Sequence, residues 1–181
     1  MAAGAVLGIT ALALLTFTNW VSPRVERDLA SELAARMLKF ERELGYGGLI
    51  HNFKNYLLRP DETGYRDAAR KNVDRLLAEL DGLSRLVEHL DMASGFQATR
   101  RVVTQYSDAI DRVESFHDQG LSPAQIDPLV RIDDSSAFMN IQQVATAARE
   151  ELIARASLQA QRTATMIAAI VLLVAAFLLS V

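Results

Sequence analysis

Between Gly45 and Arg59 the chain reads Gly-Tyr-Gly-Gly-Leu-Ile-His-Asn-Phe-Lys-Asn-Tyr-Leu-Leu-Arg. At helical spacing, Leu49, Ile50, Phe53, Tyr56 and Leu57 share one face, and His51, Asn52, Lys54, Asn55 and Arg59 share the other. Two cations, two amides and an imidazole on one short face are suited to an anionic ligand, which they would hold by charge-assisted hydrogen bonds. Tyr46 and Asp133 are expected near this set, the latter from a second connection at Leu121–Ser136. Two plainer readings stand beside the pocket. Asp133 or Asp134 caps the helix that follows, with Lys54 and Arg59 on a solvated face. Alternatively, the polar face pairs with Asp133 and Asp134 and locks the turn without any ligand.

Other chemistry finds little support. The chain has no cysteine, which excludes disulfide frameworks, Cys-zinc sites and thiol catalysis. His51, His89 and His117 are far apart, and no His-x-x-x-His or Glu-x-x-His pair occurs, so no metal site or cofactor is expected. Gly45–Gly48 lacks the Lys-Ser/Thr ending of a phosphate loop and reads as a tight turn. No nucleophile, base and acid fall at readable spacing, so catalysis is not expected. A net charge of −3 and a pI near 5.6 argue against nucleic acid as a partner.

The elements that would position the polar set are helical. Val25, Leu29, Leu33, Met37, Phe40 and Leu44 form a stripe at spacings of three and four. A second helix over about 61–90 carries Ala69, Val73, Leu76, Leu77, Leu80, Leu83 and Val87, after Pro60 at its start. A third follows the break at Met92–Gly95, through Val102, Val103, Tyr106, Ile110 and Val113. A fourth runs from about Ser135 through Met139, Val144, Ala148 and Leu152. Leu121–Ser136, with Pro123 and Pro128, is expected as a connection. Four helices of matched length with short connections predict an all-α, up-down-up-down four-helix bundle. Its connections at 45–60 and 120–134 would fall at one end, and Met92–Gly95 at the other.

All 19 Lys and Arg and all 22 Asp and Glu lie between Arg24 and Arg162. Residues 1–20 and 163–181 are each long and apolar enough for a transmembrane helix, about 20 residues being needed. The division expected is therefore transmembrane helix 1 (1–20), an extracytoplasmic bundle (21–162) continuous with it, and transmembrane helix 2 (163–181). A cleaved signal peptide is the competing reading of the first segment, but no basic residue precedes the apolar run. Since Val181 follows the second span with no polar flank, a segment of a longer protein is expected. Flanking arginines at 24, 27, 155 and 162 do not settle the side, because long segments translocate largely regardless of charge.

Two spans around a four-helix module resemble the sensory input region of bacterial transmembrane receptors: chemoreceptors, membrane histidine kinases and diguanylate cyclases. The stretch from Gly45 to Arg59 is similar to one found in a group of such modules, and Val130-Arg131-Ile132-Asp133-Asp134-Ser135 is similar to a second stretch of the same group. The resemblance implies a two-pass protein of the inner membrane with residues 21–162 outside the cytoplasm. It also implies signal input, with the output domain beyond this chain. No ligand can be carried over. The partners expected are a small, anionic signal molecule, the membrane, and a second copy of the chain. In such a homodimer the first and fourth helices would lie near the two-fold axis, with Leu33 and Ala148 on the shared face. The other hypothesis is a membrane-anchored structural or partner-binding bundle without a small ligand.

Overall fold

In the computed structural model, which describes residues 2–45 and 47–179, the chain is all-α. Its helices are α1 (Ala2–Leu44), α2 (Leu49–Leu58), α3 (Thr63–Leu86), α4 (Gln97–Asp118), α5 (Pro123–Val130) and α6 (Ser135–Leu179). Two short 3₁₀ turns, Glu88–Leu90 and Ala93–Phe96, join α3 to α4 around Asp91, which adopts a left-handed conformation (φ 59°). Side chains are described for residues 23–45, 47–135, 137–173 and 175–176.

The chain divides into two compact units. One comprises α1 up to Glu32 and α6 from Arg149, and the other spans Leu33–Ala148. In the first unit, Pro23, Ala30, Leu152 and Ala156 are buried. Arg155 pairs with Glu151 one turn away (2.7 Å). Further along α6, Ile167, Val171, Leu172 and Leu173 are exposed, Leu172 at 71 %. Among the described residues, one helical stretch, Ala137–Leu173 of α6, is long and apolar enough to cross a membrane. The exposure of its later apolar side chains separates it from a buried core helix.

The second unit is built around the antiparallel pair α3 and α4. Arg66 reaches Glu114 (2.5 Å), Arg70 reaches Asp111 (2.8 Å), and Arg100 pairs with Asp81 at the opposite end. Around this pair the packing falls into two levels. At one level α1 lies on the C-terminal half of α3, through Arg36, Lys39 and Glu79. The start of α6 lies on α4 there, where Thr99 Oγ1 donates to the Ala137 carbonyl (3.2 Å). At the other level α2 packs on the first half of α3, and α5 packs on α4 and α2. Phe53 and Tyr106 meet edge to face, with centroids 5.3 Å apart. Phe40, Leu76, Leu80, Leu83, Ile110, Ile126 and Ile141 are fully buried. Each such side chain contributes about 1.5–3 kcal/mol by leaving water.

Two departures from the sequence-based expectation have physical causes. Leu121–Ser136 is not a plain connection, because Pro123–Val130 forms α5. Pro123 sits in its first turn, where a missing N–H costs nothing, and Ser122 and Gln125 form a capping box. Ile126 and Val130 then fall one turn apart and are buried. Leu33 and Ala148 are also buried within the chain itself, at 1 % and 0 % exposure, so neither is on an outward face. Leu38 and Met139 are exposed apolar residues of the same helices within the second unit.

Candidate functional site

The turn that launches α2 is compact. The Gly45 amide donates to the Glu41 carbonyl (2.9 Å), and that of Gly48 to the Gly45 carbonyl (3.0 Å). Gly47 has φ +88°, a conformation open to glycine. A Cβ on Gly48 would lie 1.9 Å from the Glu43 carbonyl oxygen, so only glycine lets α2 start this close to the end of α1. Tyr46 lies outside the described residues.

From this start, α2 buries Leu49, Phe53, Tyr56 and Leu57 of the five apolar residues that the spacing assigns to one face, and leaves Ile50 half-buried. Its polar side chains go different ways. The Asn52 amide donates to Asn72 Oδ1 (2.8 Å), and Asn72 Nδ2 donates to Glu43 Oε2 (2.7 Å). Arg75 approaches the same Glu43 carboxylate (3.6 Å). Asn52 thus belongs to a chain of bonds tying α2, α3 and α1 together, centred on Asn72, which is only 6 % exposed. Asn55 Nδ2 donates to the His51 carbonyl (2.9 Å) and lies 3.1 Å from the His51 Nε2. Lys54 is exposed. Arg59 is exposed at the end of α2, with its guanidinium over the Tyr65 ring at 6.0 Å.

Asp133 works at the start of α6. Its Oδ1 accepts from the Ser135 amide (3.2 Å) and hydroxyl (2.5 Å), which hold its carboxyl below the usual range. The neighbouring Asp134 accepts from the Tyr106 hydroxyl (2.7 Å), and its carbonyl takes the Phe138 amide. Burial and this bond push the Tyr106 phenol well above its ordinary pKa. Asp133 also lines a groove of about 410 Å³ with Gln105, Asp108, Arg112 and Arg131, to which α2 contributes nothing. A second groove, of about 540 Å³, lies where α3 meets α4 and is edged by Asp81, Arg85, Glu88, Gln97 and Arg100.

The structure therefore places His51, Asn52, Lys54 and Asn55 on α2 and Arg59 just past its end, with their side chains going different ways, and puts Asp133 to work as a helix start. His117 lies 3.7 Å from Asp61. Among the described residues, no three His, Asp or Glu side chains converge on one point. Sequence reasoning missed Asn72 and Glu79, both polar and buried on α3. The signal was available: they are seven residues apart and flank the apolar stripe of α3. Comparison with protein families, with curated proteins and with solved structures finds no match for this chain.

Proposed function

We propose that this chain is the signal-input region of a bacterial transmembrane receptor, an extracytoplasmic helical bundle anchored by a membrane span at each end. In this reading it works as a homodimer and passes a small helix displacement to a cytoplasmic output domain outside this chain. One observation carries the reading: a single helix, α6, starts in a packed core at Ala137 and Ile141 and later exposes Ile167, Val171, Leu172 and Leu173. A helix of this kind transmits shifts of about 1–2 Å without a flexible linker. The resemblance of Gly45–Arg59 to receptor input modules supports the same reading.

Within it, Lys54 and Arg59 are the groups that meet an anionic signal, with the His51–Asn55 pair beside them. Asn52 belongs to the internal scaffold. The test is thermal denaturation of the whole chain in detergent, with a panel of small carboxylates and inorganic oxyanions. One anion should raise the melting temperature of the parent. That rise should vanish in Lys54→Ala and Arg59→Ala, whose melting temperatures without the anion stay at the parental value. A ligand-free melting temperature that falls in both variants would show a structural face. The internal bonding of Asn52 and Asn55 favours a second reading, a partner-binding bundle without a small ligand. It stands if no anion shifts the parent.

A further inference from the structure

The contact between α1 and α3 carries a row of charges. On α1, Arg36, Lys39 and Glu43 are spaced three and four apart. On α3, Asn72, Arg75, Glu79 and Gly82 follow at three, four and three. These spacings place each set on one helix face. The helices run in opposite directions, and the pairs interlock. Glu79, 7 % exposed, takes Arg36 (3.3 Å) and Lys39, while Glu43 takes Asn72 (2.7 Å) and Arg75 (3.6 Å). Gly82 leaves room for the Arg36 guanidinium, since a Cβ there would lie 2.6 Å from its Nη1.

The apolar contacts alone do not fix this alignment. Leu33, Met37, Phe40 and Leu44 are buried at spacings of four, three and four. A slide of α1 by one turn returns an apolar residue to nearly every apolar site. The charges respond differently. Slid one turn one way, Lys39 takes the place of Glu43 and faces Arg75. Slid the other way, Glu43 takes the place of Lys39 and faces Glu79. Either one-turn slide opposes like charges, the second at a buried position. Polar residues in a helical seam are known to select register in this manner.

We infer that this ladder is a register lock, with Glu79 as its pin: it admits displacements of α1 smaller than a helical turn and rejects one-turn slides. The lock is independent of what the chain senses. The absence of native cysteine makes the test clean. Spin labels at Ala35→Cys and Lys71→Cys, both exposed and offset along the helix axes, report the alignment in the full chain by pulsed dipolar spectroscopy. Diluted with excess unlabelled chain, so that only pairs within one copy are read, the parent should give one distance. Glu79→Lys repels Arg36 and Lys39 and attracts Glu43, so most of the population should move by up to about one pitch, 5.4 Å. Adding Arg36→Glu and Lys39→Glu should restore the parental distance. If Glu79→Lys does not fold, Glu79→Leu removes the pin with a packable side chain and should give a broadened or double distribution. A single parental distance in Glu79→Lys, or in Glu79→Leu where that variant is needed, would show that packing and the Gly45–Gly48 turn set the register without the charges.

Discussion

Asn72 and Tyr106, both buried in the second unit, are held by partners from other elements, and each makes a measurable demand. Asn72 bonds to both Asn52 and Glu43. Asn72→Ala leaves both without it and should cost about 2–3 kcal/mol, read from denaturant unfolding followed by circular dichroism. A loss below about 0.5 kcal/mol would mean water replaces the amide. Tyr106 is protonated in the folded chain well above the pH at which an unfolded tyrosine ionises, because burial and Asp134 both oppose the phenolate. The stabilisation is fully present below about pH 10, the ordinary tyrosine value, and is lost as pH rises beyond it. Above that pH the unfolded state releases a proton that the folded state keeps. Stability of the parent should therefore fall more steeply from about pH 10 than that of Tyr106→Phe, by up to about 1.4 kcal/mol per pH unit. Parallel pH profiles would remove Tyr106 from the account.

At the scale of elements, glycines separate tight junctions from open ones. Gly48→Ala drives a Cβ into the Glu43 carbonyl, within 1.9 Å, and should cost about 2–3 kcal/mol or block folding. Gly64, near the start of α3, meets nothing within 4 Å, so Gly64→Ala should gain about 0.5 kcal/mol by restricting the unfolded chain. Equal melting temperatures for the two variants would contradict the described turn. Helices α2, α3 and α4 were legible because their apolar residues recur at three and four, and the stops at Gly45–Gly48 and Met92–Gly95 are rich in turn formers. The helix α5 was not, since Pro123 and Pro128 read as breakers unless Ser122 and Gln125 are recognised as a cap. The polar face of α2 was legible as a face. Its division was not: Asn52 turns inward only because Asn72 and Glu43, from two other helices, meet it there. Charge pairs such as Arg36–Glu79, 43 residues apart, carry no local sequence signal.

At the scale of the whole molecule, the chain is all-α, with a helix fit to cross a membrane and a charged middle bounded by uncharged ends. The inferred receptor role requires that the middle lie outside the cytoplasm and that the chain beyond α6 lie inside it. A second copy that meets α1 and α6 within the second unit would touch the outward residues Leu38 and Met139, since Leu33 and Ala148 are buried. Cysteine at Leu38 or Met139 should cross-link between copies in membranes, and cysteine at Leu33 or Ala148 should not. Cross-linking confined to the buried pair would overturn the packing described for α1 and α6. The most direct test of the central claim is a dual topology reporter, alkaline phosphatase or a fluorescent protein, inserted at Gly120 or fused after Val181. The account predicts phosphatase activity without fluorescence at Gly120, and fluorescence without phosphatase activity after Val181. Fluorescence at Gly120 would place the bundle in the cytoplasm and contradict the receptor reading.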